Sequence, residues 1–314
     1  WEDAVNHTEP DLSLPGPPQA PHEIAPGTFV IRAITPSVGG TWTNLNAMVI
    51  IAAEPVIVDT GMITNRAGWF EDVFSLISPE EVRWLYITHC DNDHAGNLVE
   101  TLERCPNATL VISRGESYRT SACFGIPFER MLVMDEGQAF EAGDRTLRSL
   151  RPPVYDSPYT RGLFDHSTGV YYASDAFCTP MPGEPVDWAE QIPADVWADG
   201  MARFHYSSLC PWVALADQGR FKAEVDKIEV RPVPRLITNN ASSAKLARLL
   251  ARYGVIGCFA ADSHPFEIAA GRWSADGAED CDAWISGWSG DSLIIDRTPK
   301  NGDGGDGEHI VHPH

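Results

Sequence analysis

Short apolar runs separated by polar turns dominate the first half of the chain. Each run is rich in Val, Ile or Tyr and is bounded by Gly, Pro, Asp or Asn, a pattern typical of buried strands. Six runs are of strand length, and we predict strands over 28–34, 46–52, 55–59, 84–88, 109–113 and 169–174.

Between and after these runs, the pattern changes to helical spacing. In 66–77 the large apolar residues fall on one stripe, which predicts an amphipathic helix. A second helix is predicted over 97–104. A longer one is predicted over 208–229, with Pro211 near its start, where proline is tolerated. Strands with interspersed helices, followed by a helix-rich second half, indicate a sheet sandwich covered by helices.

The two ends of the chain differ from this pattern. Residues 1–26 hold six prolines and few large apolar residues, so we expect an irregular N-terminal arm. Residues 297–314 are rich in Gly, Asp and His and lack an apolar face, so we expect a disordered tail. The intervening 27–296 is long enough for one α/β domain.

Composition narrows the function classes. The chain carries 44 Asp and Glu against 23 Lys and Arg, a formal charge of -21, which repels nucleic-acid phosphates and anionic lipid. Its seven cysteines form no CxxC pair, which favours reduced thiols over a disulfide framework. Neither a membrane span nor a signal peptide is recognisable. We therefore expect a cytoplasmic protein with no nucleic-acid or membrane partner.

The hexapeptide His89–His94, which reads HCDNDH, contains four side chains that can ligate a metal. It follows a predicted strand and precedes a predicted helix, and α/β proteins place functional groups on such loops. Alternation along the backbone would direct His89 and Asp91 to one side, and Asp93 and His94 toward a neighbouring position. This split suits two adjacent metal ions.

A second strand end supports this interpretation. The run "VIVDTG" (56–61) closes on Asp59, and an aspartate there can orient metal ligands. An HxDxDH loop preceded by such a strand resembles the metallo-β-lactamase superfamily, whose usual motif is HxHxDH. The carboxylate at Asp91 is similar to the HxExDH motif of flavodiiron proteins and their stand-alone oxygen-binding di-iron relatives. The resemblance implies an α/β fold, the αββα four-layer metallo-β-lactamase-like sandwich.

Further segments carry the same resemblance, which is strong over roughly 28–240. "GGTWTNLNAMVI" (39–50) is similar to the branch's strand entry, "PNATLVIS" (106–113) to its strand after the motif helix, and 134–153 to its hairpin. The most specific match is "GVYYASDAFC" (169–178), which resembles the branch's "LFSNDAFG".

The resemblance implies a set of metal ligands. His89, Asp91, Asp93 and His94 match the motif positions, and Asp175 matches the aspartate that bridges both metals. A shared carboxylate offsets the repulsion between two close cations. Asp175 could alternatively cap a helix N-terminus.

Two histidines that the family pattern calls for are missing. At the first of these places the chain has Asp156, which can ligate a hard metal, and His166 is the alternative. At the second place it has Asn239 or Asn240, and His264 could substitute after an insertion. Beyond about residue 230 the resemblance fades, as either divergence or an altered reading frame would produce.

The implied set is rich in oxygen. It comprises His89, Asp91, Asp93, His94, Asp156 and Asp175. Such a set favours two Fe ions, with Zn or Mn as alternatives. Cys90 is expected to pack as a small buried residue pointing away from the site, although turned inward it would favour zinc.

Three functions remain open at this point. Two irons imply a protein that binds or reduces O2 or NO, an oxidoreductase. No phosphate loop of a flavodoxin domain is recognisable in 240–314, so electrons would come from an external donor. Zinc would imply a metallo-hydrolase of the same fold. Loss of ligands would imply a degenerate scaffold with an incomplete metal site.

Overall fold

The computed structural model describes residues 19–37, 41–176 and 178–180, scattered positions in 193–220, and the backbone of five strands beyond residue 234. Within these residues the strands form three sheets. The helices are α1 (Arg66–Leu76), α2 (Asn92–Ala95), α3 (Leu98–Arg104) and α4 (Arg114–Phe124), with 3-10 turns at Ile63–Asn65, Phe128–Arg130 and Pro211–Leu215.

The first sheet has seven strands in chain order. Its first four strands pair antiparallel, and the last four pair parallel through helical crossovers. The strands are β1 (His22–Ala25), β2 (Thr28–Ser37), β3 (Thr41–Ile50), β4 (Val56–Val58), β5 (Trp84–Tyr86), β6 (Thr109–Ile112) and β7 (Met131–Val133).

The second sheet has six strands in the order β13-β12-β11-β10-β9-β8. They are β8 (Ala139–Ala142), β9 (Arg145–Leu150), β10 (Gly162–Asp165), β11 (Val170–Tyr172), β12 (Arg235–Ile237) and β13 (Ser242–Ser243). A third, three-stranded sheet contains β14 (Cys281–Ser289), β15 (Ser292–Pro299) and β16 (Glu308–Val311).

The first sheet is buried on both faces. Alternate residues of a strand point to opposite faces, so Ile57 packs with the helices while Val56 and Val58 pack toward the second sheet. The helix-side core includes Trp69 of α1 and Leu98 of α3. The inter-sheet core joins residues of β2–β6 to residues of β8–β11. Helices therefore cover one face of the first sheet, and the second sheet packs on its other face. This arrangement confirms the predicted sandwich class.

Most predicted elements are confirmed. Strands lie in all six predicted runs, and helices occupy the predicted 66–77 and 97–104 almost entirely. Several strands end earlier than predicted, because the last residues of the predicted runs lie in the loops that follow the strands. The helix α4 was not predicted, because its sequence has no apolar stripe. Among the described residues, no helix is long and apolar enough to cross a membrane.

Three boundaries differ from expectation or stay predictions. The helix expected over 208–229 starts as a short 3-10 turn that ends at Ala216, whose backbone is extended, and most of its remainder lies outside the described residues. The end of the expected arm 1–26 is strand β1, because its backbone pairs with β2. Strand β15 crosses the expected start of the tail 297–314 and β16 lies within that tail, and the limits of domain 27–296 stay a prediction.

Candidate metal centre

Loops from both sheets meet at one point. Asp59 follows β4 and His89 follows β5, and these strands are parallel neighbours, so their carboxyl ends lie side by side. Asp156 lies between β9 and β10, and Asp175 follows β11 of the second sheet. The site therefore lies across the edge of the sandwich, with ligands from both sheets.

The helical turn α2 separates the predicted ligands into two groups. Asp91 has extended backbone and precedes the turn, whereas Asp93 and His94 lie inside it. As a consequence, one group forms around His89 and the other around His94, as the spacing predicted.

The first group centres on Nε2 of His89, a buried side chain. This nitrogen lies 3.2 Å from Oδ2 of Asp156, 3.4 Å from Oδ2 of Asp175 and 3.8 Å from Oδ2 of Asp91. It has no partner in hydrogen-bonding geometry. A buried ring nitrogen aimed at three carboxylates is the arrangement that a bound cation would complete.

The second group centres on Nε2 of His94. This atom lies 2.9 Å from Oδ1 of Asp175 and 3.4 Å from Oδ2 of Asp93. Asp175 thus presents one oxygen to each histidine, and the two imidazole rings are 4.0 Å apart between centroids. That placement is what a carboxylate shared by two metal ions requires.

Asp59 contacts His94 on the side of the ring that faces away from the site. Its carboxylate accepts hydrogen bonds from the Thr88 amide and the Thr88 hydroxyl, each at 2.8 Å, and lies 2.7 Å from Nδ1 of His94. A carboxylate can only accept, so Nδ1 of His94 donates a hydrogen bond to Asp59, and Nε2 is the ring nitrogen that faces the site. This contact is the one that the predicted orienting role of the aspartate at the strand end requires.

The charges of the site perturb its acid–base groups. Burial raises the pKa of Asp175, but the charge of His94, its hydrogen bond and His89 together hold that pKa below the ordinary value. Burial alone would raise the pKa of Asp156, but the contact with His89 has the larger effect, and the pKa lies below its ordinary value. For Asp93, burial and the charge of Asp175 outweigh the attraction of His94, and the pKa is raised. Mutual repulsion of this kind is relieved by a cation.

The other candidates lie elsewhere. Cys90 packs on the helix side of the first sheet, with Sγ 3.1 Å from Oγ1 of Thr120, as expected for a residue that points away from the site. His166 lies in the turn after β10, where Nε2 accepts a hydrogen bond from Arg148. Asn239, Asn240 and His264 lie outside the described residues.

Several supporting residues were not identified from the sequence. Thr60 and Asn97 bind the two ligand loops together: the Thr60 amide donates to the carbonyl of His94 at 2.6 Å, and Nδ2 of Asn97 donates to the carbonyl of Thr60 at 2.7 Å. Thr88 and Ser174 place hydroxyl groups behind the histidines. Each is within three residues of a predicted ligand or of Asp59, and that proximity was the available signal.

Comparison with protein-family models assigns the chain. The model described as "ODP family beta lactamase" matches residues 43–224, which include every described member of the site. The chain belongs to this family.

Relatives of this ODP-family chain are flavoproteins and reductases. It is 25% identical over 171 residues to a type A flavoprotein of Rhodobacter capsulatus, covering 51% of this chain and 39% of the relative. It is 21% identical over 170 residues to a nitric oxide reductase of Moorella thermoacetica, covering 54% and 42%. The chain spans between 23% and 42% of the length of the curated relatives that it matches.

Solved structures share the fold. The rubredoxin oxygen:oxidoreductase of Desulfovibrio gigas superposes with a TM-score of 0.64 at 18% identity, covering 80% of this chain and 61% of that one. Further structures with the same fold are flavodiiron proteins. The predicted resemblance to the flavodiiron branch of the metallo-β-lactamase superfamily is confirmed.

Proposed function

We propose that this chain holds a di-iron centre that binds or reduces O2 or NO with electrons from an external donor. The observation that carries the proposal is the position of Asp175, whose two oxygens face Nε2 of His89 and Nε2 of His94 separately. One carboxylate between two imidazoles supports a pair of ions that share it.

The proposed ligands divide between two ions. His89, Asp91 and Asp156 would hold one ion, Asp93 and His94 would hold the other, and Asp175 would belong to both. The four carboxylates match the charge of two divalent cations. This oxygen-rich set supports Fe or Mn more than Zn, which prefers additional nitrogen or sulfur ligands.

The two halves of the centre differ in their access to solvent. The side chain of Asp91, in the first half, is 51% exposed, whereas that of Asp93, in the second half, is 25% exposed. A small molecule would therefore approach from the Asp91 side and meet the pair of ions there. Two iron ions would supply a binding place for a diatomic molecule and would pass to it electrons received from the external donor.

The protein's own residues contribute positioning. Asp59 fixes the ring of His94 and its proton, so that Nε2 faces the centre. The Ser157 amide and the Thr160 hydroxyl hold Oδ1 of Asp156, at 2.6 Å and 3.1 Å, and leave its Oδ2 toward His89. The names of the relatives, a nitric oxide reductase and an oxygen:oxidoreductase, support diatomic chemistry.

Metal analysis tests the proposal. The protein is purified without chelators under anaerobic conditions from iron-supplied cells, and its metals are quantified by mass spectrometry. We expect about two Fe per chain, and a loss of iron in Asp91→Ala because the His89 group then lacks one of its three carboxylates. Asp135→Asn, an exposed carboxylate paired with Arg114, is the matched control and should keep both ions.

The second step tests reactivity. The iron-loaded protein, reduced by a chemical donor, is titrated with NO and then with O2, and its absorption and electron paramagnetic resonance spectra are followed. We expect NO to change both spectra and O2 to be consumed. Stoichiometric zinc would instead indicate the hydrolase, and metal far below one ion per chain would indicate the degenerate scaffold; either result overturns the proposal.

A further inference from the structure

We propose that Ser174 is a positioning residue that, together with Thr88, holds the Nδ1-protonated form of His89 and so aims its Nε2 lone pair at the metal. The inference rests on the proposed metal centre, but not on the identity of the metal or on chemistry with O2 or NO. It concerns a hydroxyl group that no ligand motif includes.

The geometry places two hydroxyl groups on the far side of the His89 ring. Oγ of Ser174 and Oγ1 of Thr88 each lie 3.3 Å from Nδ1 of His89. All three side chains are fully buried, so water does not compete for these contacts. The ring is thus held between hydroxyls at Nδ1 and carboxylates at Nε2.

The direction of each hydrogen bond follows from the number of protons. The single hydroxyl proton of Thr88 is donated to Oδ2 of Asp59 at 2.8 Å, since a carboxylate can only accept. The proton of Ser174 is donated to Oγ1 of Thr88 at 3.0 Å. Both hydroxyl oxygens are then acceptors toward His89, which satisfies them by carrying its proton on Nδ1.

The backbone supports this assignment independently. Among the described residues, Asp59 and Ser174 are the non-glycine residues with positive φ, at 58° and 56°. Such a conformation is disfavoured for side chains other than Asn, Asp or Gly, and it persists where the surrounding structure requires it. Aspartate adopts this conformation more readily than serine, so Ser174 is the strained residue, and both residues belong to the hydrogen-bond chain from His89 through Ser174 and Thr88 to Asp59.

The chain of hydrogen bonds distinguishes the two histidines. His94 contacts Asp59 directly, whereas His89 reaches the same carboxylate only through neutral hydroxyls, either Thr88 alone or Ser174 and then Thr88. Hydrogen bonds to neutral acceptors are weaker than those to charged ones. Loss of the Ser174 hydroxyl should therefore weaken metal binding at the His89 half and leave the His94 half intact.

Cobalt substitution provides the test. The intact chain is loaded with Co²⁺, and proton NMR records the paramagnetically shifted, solvent-exchangeable N–H signals of the ligating imidazoles. We expect Ser174→Ala to accelerate the exchange of one signal and leave the other unchanged. Competition with a chelator should show about 10-fold weaker Co²⁺ binding at one of the two positions.

Two further variants separate the possible causes. Ser174→Gly removes the hydroxyl but relieves the positive φ, so it should show the same faster exchange as Ser174→Ala. Ser149→Ala removes a buried hydroxyl that contacts the phenol of Tyr86 at 3.1 Å, and should change neither signal.

Each outcome decides the inference. Unchanged exchange and affinity in Ser174→Ala, or wild-type behaviour in Ser174→Gly, overturns it while the metal centre stands. A wild-type chain that binds no Co²⁺ and shows no shifted signal overturns the metal centre and this inference together.

Discussion

Asp91 and Asp156 make the His89 half of the centre strongly anionic. They lie 3.8 Å and 3.2 Å from Nε2 of His89, on the side of the ring that faces the site. The resemblance to the family's motif implied Asp91, and the place of a missing family histidine implied Asp156. Thr88 and Ser174 could not be identified in this way, because a hydrogen bond between residues far apart in the chain has no local sequence pattern.

Removal of the Asp59 charge should affect the His94 half. In Asp59→Asn the amide offers one accepting oxygen to three donors, the Thr88 amide, the Thr88 hydroxyl and Nδ1 of His94. We expect metal affinity at this half to fall by about 10- to 100-fold, as measured by chelator competition.

The control for this substitution is Glu71→Gln, an exposed carboxylate on α1 away from the site. Equal affinities in Asp59→Asn and Glu71→Gln would show that the orienting contact is dispensable for metal binding.

The thiols should differ in reactivity with their burial. Burial raises the pKa of Cys90 to about 12, of Cys105 to about 11 and of Cys210 to about 12, so these thiols are protonated at pH 8. Cys123 is exposed on α4. With iodoacetamide at pH 8 under native conditions, we expect peptide mapping to find Cys123 alkylated and the other three unmodified until urea is added. If Cys90 were labelled rapidly in the native protein, its thiol would be more accessible than its packing in the structure allows.

At the scale of elements, Gly96 determines how closely two loops approach. A Cβ atom there would lie 2.4 Å from the carbonyl oxygen of Asn92 and 2.7 Å from that of Gly61. The Gly96 amide also donates to the Gly61 carbonyl at 3.1 Å. The loop after β4 and the turn α2 are therefore packed backbone to backbone, and that packing fixes Asp59 against His94.

Gly96→Ala should accordingly destabilise the fold by about 1–3 kcal/mol, because backbone atoms must separate to admit the methyl group. The measurement is urea unfolding of the metal-free protein. Gly68→Ala in α1, where a Cβ meets nothing within 4 Å, is the control and should stabilise by about 0.5–1 kcal/mol. If both substitutions stabilise the protein, the close approach at Gly96 is not as tight as the structure has it.

Helices and strands could be predicted where their burial leaves a pattern in the nearby sequence. The parallel strands β4, β5 and β6 are buried on both faces, so they are continuous apolar runs that the sequence reveals. The helix α4 buries the polar residues Glu116, Ser117 and Thr120 rather than an apolar stripe, so periodicity did not reveal it. The helix expected over 208–229 is interrupted at Ala216, where extended backbone ends the 3-10 turn that Pro211 begins; Arg220 is helical again, and most of the remainder lies outside the described residues.

At the scale of the whole molecule, the proposed metal ligands come from both sheets. His89, His94 and Asp59 extend from the first sheet, and Asp156 and Asp175 from loops of the second. The fold could be predicted because the family's motifs lie at the strand ends. Whether the ligand set is complete could not be predicted, because Asn239, Asn240 and His264 lie in the part of the chain where the resemblance fades.

Metal binding should therefore stabilise the contact between the sheets. A ligand that binds only the folded state adds about 2.7 kcal/mol to the free energy of unfolding at a free concentration of one hundred times its Kd. We expect removal of metal by a chelator to lower the melting temperature, and addition of Fe²⁺ without oxygen to restore it. In Asp175→Asn the shared carboxylate is lost, so this response to metal should largely disappear.

Without metal, neutralisation of Asp175 has two opposing effects on stability, so a lost response to Fe²⁺ would report on metal binding and not on a weakened fold. Without metal, Asp175 lies among the carboxylates of Asp91, Asp93 and Asp156, and its neutralisation removes part of their repulsion. It also removes the attraction that Asp175 exerts on the two histidines, so we expect the metal-free melting temperature to change little. Asp135→Asn, outside the site, should keep the full response to metal. An equal rise in melting temperature with Fe²⁺ in Asp175→Asn and in the wild type would show that the ions do not share this carboxylate.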